Sequence, residues 1–202
     1  MSDAHLDPAI GLLEFESIAA GIVAADAMVN ASPVSALFAG TVHPGRFLVL
    51  VAGDTAAVEI ALERGGTDTL TDSLFLPDVH PAVVASLTTA TDAAAVEGDA
   101  VGIIETATSA TAIVAADAGV KAAAVSLPGL RLADGLGGKA YCLFGGAVAD
   151  VEAAVESAVL RIEHRDQLIA STVIPQLHGE MRDNLADALR FNHRLRGTGG
   201  AG

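Results

Sequence analysis

Ile10-Gly-Leu-Leu-Glu14, leading into Ile22-Val-Ala-Ala-Asp26-Ala27, is written a second time as Val101-Gly-Ile-Ile-Glu105, leading into Ile113-Val-Ala-Ala-Asp117-Ala118. Residues 10 to 36 laid on residues 101 to 127, at a constant offset of 91 and without a gap, agree at 13 of 27 positions. The match resumes where Gly53, Val58 and Glu59 meet Gly146, Val151 and Glu152. It returns where Leu76-Pro-Asp-Val-His80 meets Ile174-Pro-Gln-Leu-His178. Self-similarity at a fixed period is one supersecondary plan used repeatedly, so the 202 residues divide into two domains, each of about a hundred residues and able to hold a modest core.

Outward from the repeated stretch, the short bounded apolar run Ala9 to Phe15 predicts a buried strand. Ser17 is placed to cap a helix reaching about Ala31, with Ile18, Ile22, Ala25 and Val29 along one face at amphipathic spacing. Val34 to Gly40 predicts a second strand, Thr41-Val-His-Pro-Gly45 a tight turn and Arg46 to Ala52 the returning strand. A helix from Ala56 to about Arg64, a strand from Leu70 to Leu76 and a short helix from Ala82 to Leu87 complete the first copy. The second copy repeats the order: strand Val101 to Thr106, helix Thr111 to Ala123, strand Val125 to Leu132, turn Asp134 to Gly138, strand Lys139 to Phe144, helix Val148 to Arg161, strand Leu168 to Ile174 and a final helix from Gly179 to about Phe191. Each half is thus a βαββαβ unit, an α+β ferredoxin-like plan with a four-stranded sheet and helices on one face. The expected boundaries are an N-terminal tail at 1–8, domain 1 at 9–87, a linker at 88–99, domain 2 at 100–192 and a flexible tail at 193–202.

Composition narrows the function. The chain is 51% hydrophobic but only 3% aromatic, so small side chains bring backbones close and partner surfaces are expected to complete the burial. Eleven basic residues against a net charge of -14 exclude a nucleic-acid-binding surface, whose affinity comes from clustered Lys and Arg. The single cysteine, Cys142, permits no internal disulfide and suits a reducing compartment. No apolar run approaches the roughly 20 residues of a membrane span, and the N-terminus lacks the basic start of a signal peptide. A soluble cytoplasmic protein is expected.

The motifs Ala9-Ile-Gly-Leu-Leu-Glu14 with Asp26-Ala-Met-Val-Asn30, Pro44-Gly-Arg-Phe47, and Asp72-Ser-Leu-Phe-Leu-Pro77 with His80-Pro81 carry a resemblance to a known family. So do Val101-Gly-Ile-Ile-Glu-Thr106, Gly135-Leu-Gly-Gly-Lys139 and Val173-Ile-Pro175 with His178. Both halves resemble the bacterial microcompartment shell (BMC) domain. The tandem order is similar to the trimeric two-domain shell proteins, most closely the type in propanediol-utilisation microcompartments. The resemblance implies a homotrimer whose six domains imitate a hexamer and tile edge to edge, beside other shell proteins, around enclosed enzymes. It also implies that the turns between second and third strands meet on the symmetry axis and line a pore for small metabolites. Here those turns are Thr41, Val42, His43, Pro44 and Gly45 in the first repeat and Asp134, Gly135, Leu136 and Gly137 in the second.

Relatives implied by the resemblance carry at the position of His43 a cysteine that helps bind an iron-sulfur cluster, so no cofactor is expected here. His43 reads as an exposed turn histidine at a polar pore; the rival is a three-histidine metal site or a pH-dependent gate. The Gly-rich turn Asp134 to Gly138 needs no ligand, although its N-H groups could cradle an anion. Lys121 follows Asp117 at helical pairing distance, so a local ion pair competes with the inter-ring edge role the resemblance implies. Asn30 is its counterpart in repeat one. Asp78, His80, Gln176 and His178 are placed at the same edge; His80 and His178 also read as starting or capping the last helix of each copy. Glu14 and Glu105 recur at the ends of the first strands, where structural hydrogen bonds explain them better than an acid-base pair. Cys142 reads as a buried small hydrophobe. With no conspicuous catalytic set, the expected function is a structural shell facet with a pore, not an enzyme. The alternative is a trimeric ferredoxin-like sensor binding a small anion between subunits.

Overall fold

The computed structural model describes residues 9–88 and 95–186. The expected tails, most of the expected linker and the end of the last expected helix lie outside the described residues.

In the first domain β1 (Ala9–Phe15), α1 (Ile18–Ala31), β2 (Ala36–Val42), β3 (Arg46–Gly53), α2 (Thr55–Gly65), β4 (Leu70–Leu76) and α3 (Pro81–Thr88) follow one another. The second domain repeats them as β5 (Ala100–Thr106), α4 (Ser109–Ala122), β6 (Ser126–Arg131), β7 (Ala140–Gly146), α5 (Val148–Arg161), β8 (Leu168–Ile174) and α6 (Gly179–Ala186). The sheets run β2-β3-β1-β4 and β6-β7-β5-β8, antiparallel at every pairing. The repeated strands are therefore central: Ile10 pairs with Ala52 on one side and Leu76 on the other, and Val101 with Gly145 and Ile174. A strand flanked on both sides, with both faces covered, reads as a continuous apolar run, and all seven residues of β1 are buried.

The starts of α1, α2 and α4 are set by side-chain caps, Ser17 as expected. Ser17 Oγ accepts from Ala20 N at 3.3 Å, and Asp54 Oδ1 from Ala57 N at 2.9 Å. In the second copy Thr108 caps α4, which starts at Ser109, two residues before the expected Thr111.

Two findings differ from expectation. First, the helices do not all lie on one face. Alternation along a strand sends Leu13 and Val49 toward α1 and α2 and Leu12 and Leu50 the other way. On that second side Leu87 of α3 lines a cavity with Leu12, Leu48 and Leu50. Second, α1 buries Gly21, Ala24, Ala25 and Met28, leaving Ile18, Ile22 and Val29 at 39%, 54% and 42% exposed. The reason is a close approach: a Cβ on Gly21 would sit 2.5 Å from Phe47 Cδ1. The narrow small-residue face docks on the sheet and the branched residues are turned away from it.

Candidate functional site

Two places draw the sequence-marked residues together: a pair of adjoining turns, and the seam between the domains.

The first turn, His43 to Gly45, joins β2 to β3 and is closed by Gly45 N donating to Val42 O at 2.9 Å. Gly45 adopts φ +114, which a side chain would strain. The second, between Arg131 and Ala140, puts Gly135, Gly137 and Gly138 at φ +74, +64 and +88. The turns touch although 91 residues separate them: His43 Nδ1 lies 3.1 Å from Asp134 Oδ1. A Cβ on Gly138 would stand 3.1 Å from Pro44 Cδ. Thr41, His43, Pro44, Gly45, Asp134, Gly135 and Gly137 are exposed, and Val42 and Leu136 half-buried. The fold thus brings the turns of both repeats side by side.

Behind these turns the recurring glutamates find a basic residue at or just before the start of each returning strand. Arg46 Nη1 donates to Glu14 Oε1 and Lys139 Nζ to Glu105 Oε1, each at 2.9 Å. Pairing across β1-β3 and β5-β7 produces both contacts; Arg46 and Lys139 lie in sequence motifs, but nothing in the sequence alone couples them to the glutamates. Glu14 is wholly buried. Burial raises its pKa above the ordinary 4.5, against the opposing pull of the Ser109 N-H and the Arg46 guanidinium.

The seam is polar at both ends of α4. At its N-terminus Ser109 N donates to Glu14 Oε2 at 3.0 Å. Thr111 Oγ1 donates to Asp72 Oδ2 at 2.9 Å, and Thr108 Oγ1 to the same oxygen. Two carboxylates of domain 1 thereby meet the positive end of a domain 2 helix. Just over two turns along, Asp117 Oδ1 accepts from His80 N at 2.8 Å, Lys121 Nζ lies 2.7 Å from Asp117 Oδ2, and Lys121 also donates to the Asp78 carbonyl. The local Asp117-Lys121 pair is present, but it reaches across domains. Asp78, His80 and Lys121, assigned by resemblance to an edge between rings, in one chain knit its two domains together.

Among the described residues their counterparts make only local contacts. Asn30 Nδ2 donates to Asp26 O at 2.8 Å and Asp26 Oδ2 at 3.0 Å, and Gln176 and His178 are exposed. His80 and His178 do cap helices, their Nδ1 atoms accepting from Ala82 N at 3.2 Å and Glu180 N at 3.3 Å.

Burial differs sharply between the two copies of one helix. Ile113 and Val120 on α4 are 0% and 7% exposed, whereas Ile22 and Val29, at the same repeat positions on α1, are 54% and 42% exposed. Domain 1 covers α4 through β4 and α3. Among the described residues nothing covers α1 in the same way.

An iron-sulfur cluster does not fit these turns. It requires thiolates, and the one cysteine of the sequence, Cys142, is wholly buried on β7 with its thiol pushed up by desolvation. Among the described residues no three His, Cys, Asp or Glu of one chain gather as a metal site, and no helix is long and apolar enough to cross a membrane.

The sequence profile described as the BMC domain matches residues 9–79 and again 100–177. The bacterial microcompartment shell protein PduT of Citrobacter freundii is 39% identical over 179 residues, 87% of this chain and 96% of that relative. A crystal structure of a microcompartment protein from Desulfitobacterium hafniense DCB superposes with TM-score 0.75 at 39% identity, covering 88% of this chain and 99% of that one. A fused, permuted hexameric shell protein of the RMM microcompartment shares the fold, with TM-score 0.55 at 18% identity over 78% of this chain and 82% of its own.

Proposed function

The chain belongs to the BMC-domain family and is a structural protein of the bacterial microcompartment shell; on that premise we propose that three copies close head to tail into a pseudohexameric ring with the paired turns at its centre. The observation that carries this reading is the bare outer face of α1 beside the covered face of α4. One chain already contains one such seam, domain 1 docked on the α4 of domain 2. The same plan in trans would dock domain 2 of one copy on the α1 of the next, and threefold closure would satisfy every copy. By the repeat offset, Glu105 would then accept from Ile18 N, Asp26 from His178 N, and Asn30 would donate to the Gln176 carbonyl. Asp26, Asn30, Gln176 and His178 are exposed in the single chain.

In this reading Thr41, Val42, His43, Pro44, Gly45, Asp134, Gly135, Leu136 and Gly137 line a polar pore for small metabolites. The rings tile with one another and with other shell proteins around enclosed enzymes in the cytoplasm. The work is not catalytic: Glu14 and Glu105 are held by Arg46 and Lys139, and no comparison supports a sensor.

Sedimentation measures the ring and electron microscopy the tiling. A three-chain particle that forms hexagonally ordered layers is the expected outcome; a discrete monomer under all conditions overturns the proposal.

A further inference from the structure

We propose that the apolar cavity on domain 1 seats the C-terminal segment of a second chain, residues 187–196. This inference rests on the head-to-tail reading above. The cavity measures about 420 Å3. It opens between Leu12, Leu48 and Leu50 on the second face of the sheet and the edge strand β2, where Phe38 is 50% exposed. Leu87 and Thr88, at the end of α3, and Leu132 of domain 2 complete its wall.

The edge strands of the two repeats differ in cover. Leu37 to Thr41 of β2 are exposed, whereas Pro128 to Arg131 of β6 are buried, and α3 of domain 1 lies against β6. Gly40 pairs with Leu48 as Arg131 pairs with Tyr141, so Thr41 is the repeat equivalent of Leu132. Leu185 and Ala186, which end α6, are likewise the equivalents of Leu87 and Thr88. Within one chain Thr88 and Leu132 share the cavity wall. The same plan in trans brings Ala186 of one chain to Thr41 of the next, and Thr41 lines the cavity of that next chain. The segment therefore starts at the cavity mouth. From Ala186 to Phe191 five extended residues reach at most about 18 Å, while Phe38 lies about 10 Å along the strand from Thr41. The segment reads Asp187-Ala-Leu-Arg-Phe-Asn-His-Arg-Leu-Arg196. Leu189, Phe191 and Leu195 supply apolar surface for the cavity, and Arg190, Arg194 and Arg196 are attracted to a chain of net charge -14.

The test uses the full chain with Cys142→Ala, which removes the one native thiol, its three-chain size checked by sedimentation. Gly40→Cys stands at the cavity wall, where a Cβ meets nothing within 4 Å. It is paired in turn with Ala188→Cys, Arg190→Cys and Asn192→Cys under mild oxidation. At least one pair should give disulfide-linked species of two and three chains on a non-reducing gel. In a second measurement, the trimer of a chain ending at Ala186 should bind one molecule of the apolar dye ANS per chain. The full-length ring should not bind it there, and a synthetic peptide of residues 187–196 should displace it. No link between chains, or dye binding equal with and without the segment, overturns the proposal and leaves the ring standing. A chain that forms no trimer overturns both.

Discussion

Truncating the same residue type at two repeat-equivalent positions, Ile22→Ala and Ile113→Ala, separates assembly from folding. Ile22 is 54% exposed in the single chain, whereas Ile113 is fully buried. Full burial of an isoleucine contributes about 1.5–3 kcal/mol. Covering the exposed half of Ile22 in a trans seam therefore contributes about 1 kcal/mol per seam, or about 3 kcal/mol over three seams. At about 1.4 kcal/mol per decade, Ile22→Ala should weaken the trimer constant roughly a hundredfold, with little change in the melting of the dilute monomer. Ile113→Ala opens a cavity inside the chain and should cost about 2–5 kcal/mol of folding stability. For a chain this long, that is roughly 2–4 °C of Tm per kcal/mol. Sedimentation across a dilution series reads the first effect and thermal melting at low concentration the second. If Ile22→Ala leaves the dilution curve unmoved, or lowers the monomer Tm as far as Ile113→Ala does, the trans seam is misassigned.

Three further perturbations follow from the geometry. Glu14 has its folded pKa raised above 4.5, so its protonated form is the one folding favours. That stabilisation is fully present below pH 4.5 and is lost as pH rises through the folded value. The Tm of the native chain minus that of Glu14→Gln should fall from pH 4.5 upward and then level off; a difference that grows with pH refutes the assignment. Gly119→Val would place a Cβ 2.3 Å from Phe144 Cζ, and overpacking of this kind costs about 1–3 kcal/mol, read as a lowered Tm. Asp72→Ala leaves the Thr108 and Thr111 hydroxyls without their shared acceptor. An unmade buried bond costs about 1–3 kcal/mol, and urea titration should show that loss.

Much of this was legible because the chain states its plan twice. The repeated Ile10 to Glu14 stretch marked both central strands, and Ser17 and the glycines of the turns marked element ends. The helix faces were not legible. Periodicity ranks residues by size and polarity, and so selected Ile18, Ile22, Ala25 and Val29; of these Ala25 is buried, and the rest of the buried face is Gly21, Ala24 and Met28 because Phe47 stands under the helix. The seam was equally hidden. Asp72 reads as an ordinary strand residue until β4 is known to lie against α4, and Thr108 and Thr111 reach it over 36 and 39 residues of chain. Lys121 signalled its partner Asp117 through helical spacing alone, while its contact with the Asp78 carbonyl needed tertiary structure.

One part of the seam network, the Asp72 cluster, is written in only one copy. Where domain 1 offers Asp72 to Thr108 and Thr111, the register of domain 2 sets Ala170 opposite Glu105, and repeat one has Ser17 and Ala20. A covalently tethered pair meets at an effective concentration near the millimolar range, so exacting, geometry-bound hydroxyl contacts can form there without a search. Two free molecules must find each other by diffusion, and greasy Ile22, Val23 and Val29 tolerate an imperfect first encounter. In the proposed ring, fusing two modules into one polypeptide would thus divide labour between two junctions: one a lock fastened at birth, the other an adhesive that acts once the crowd is dense enough.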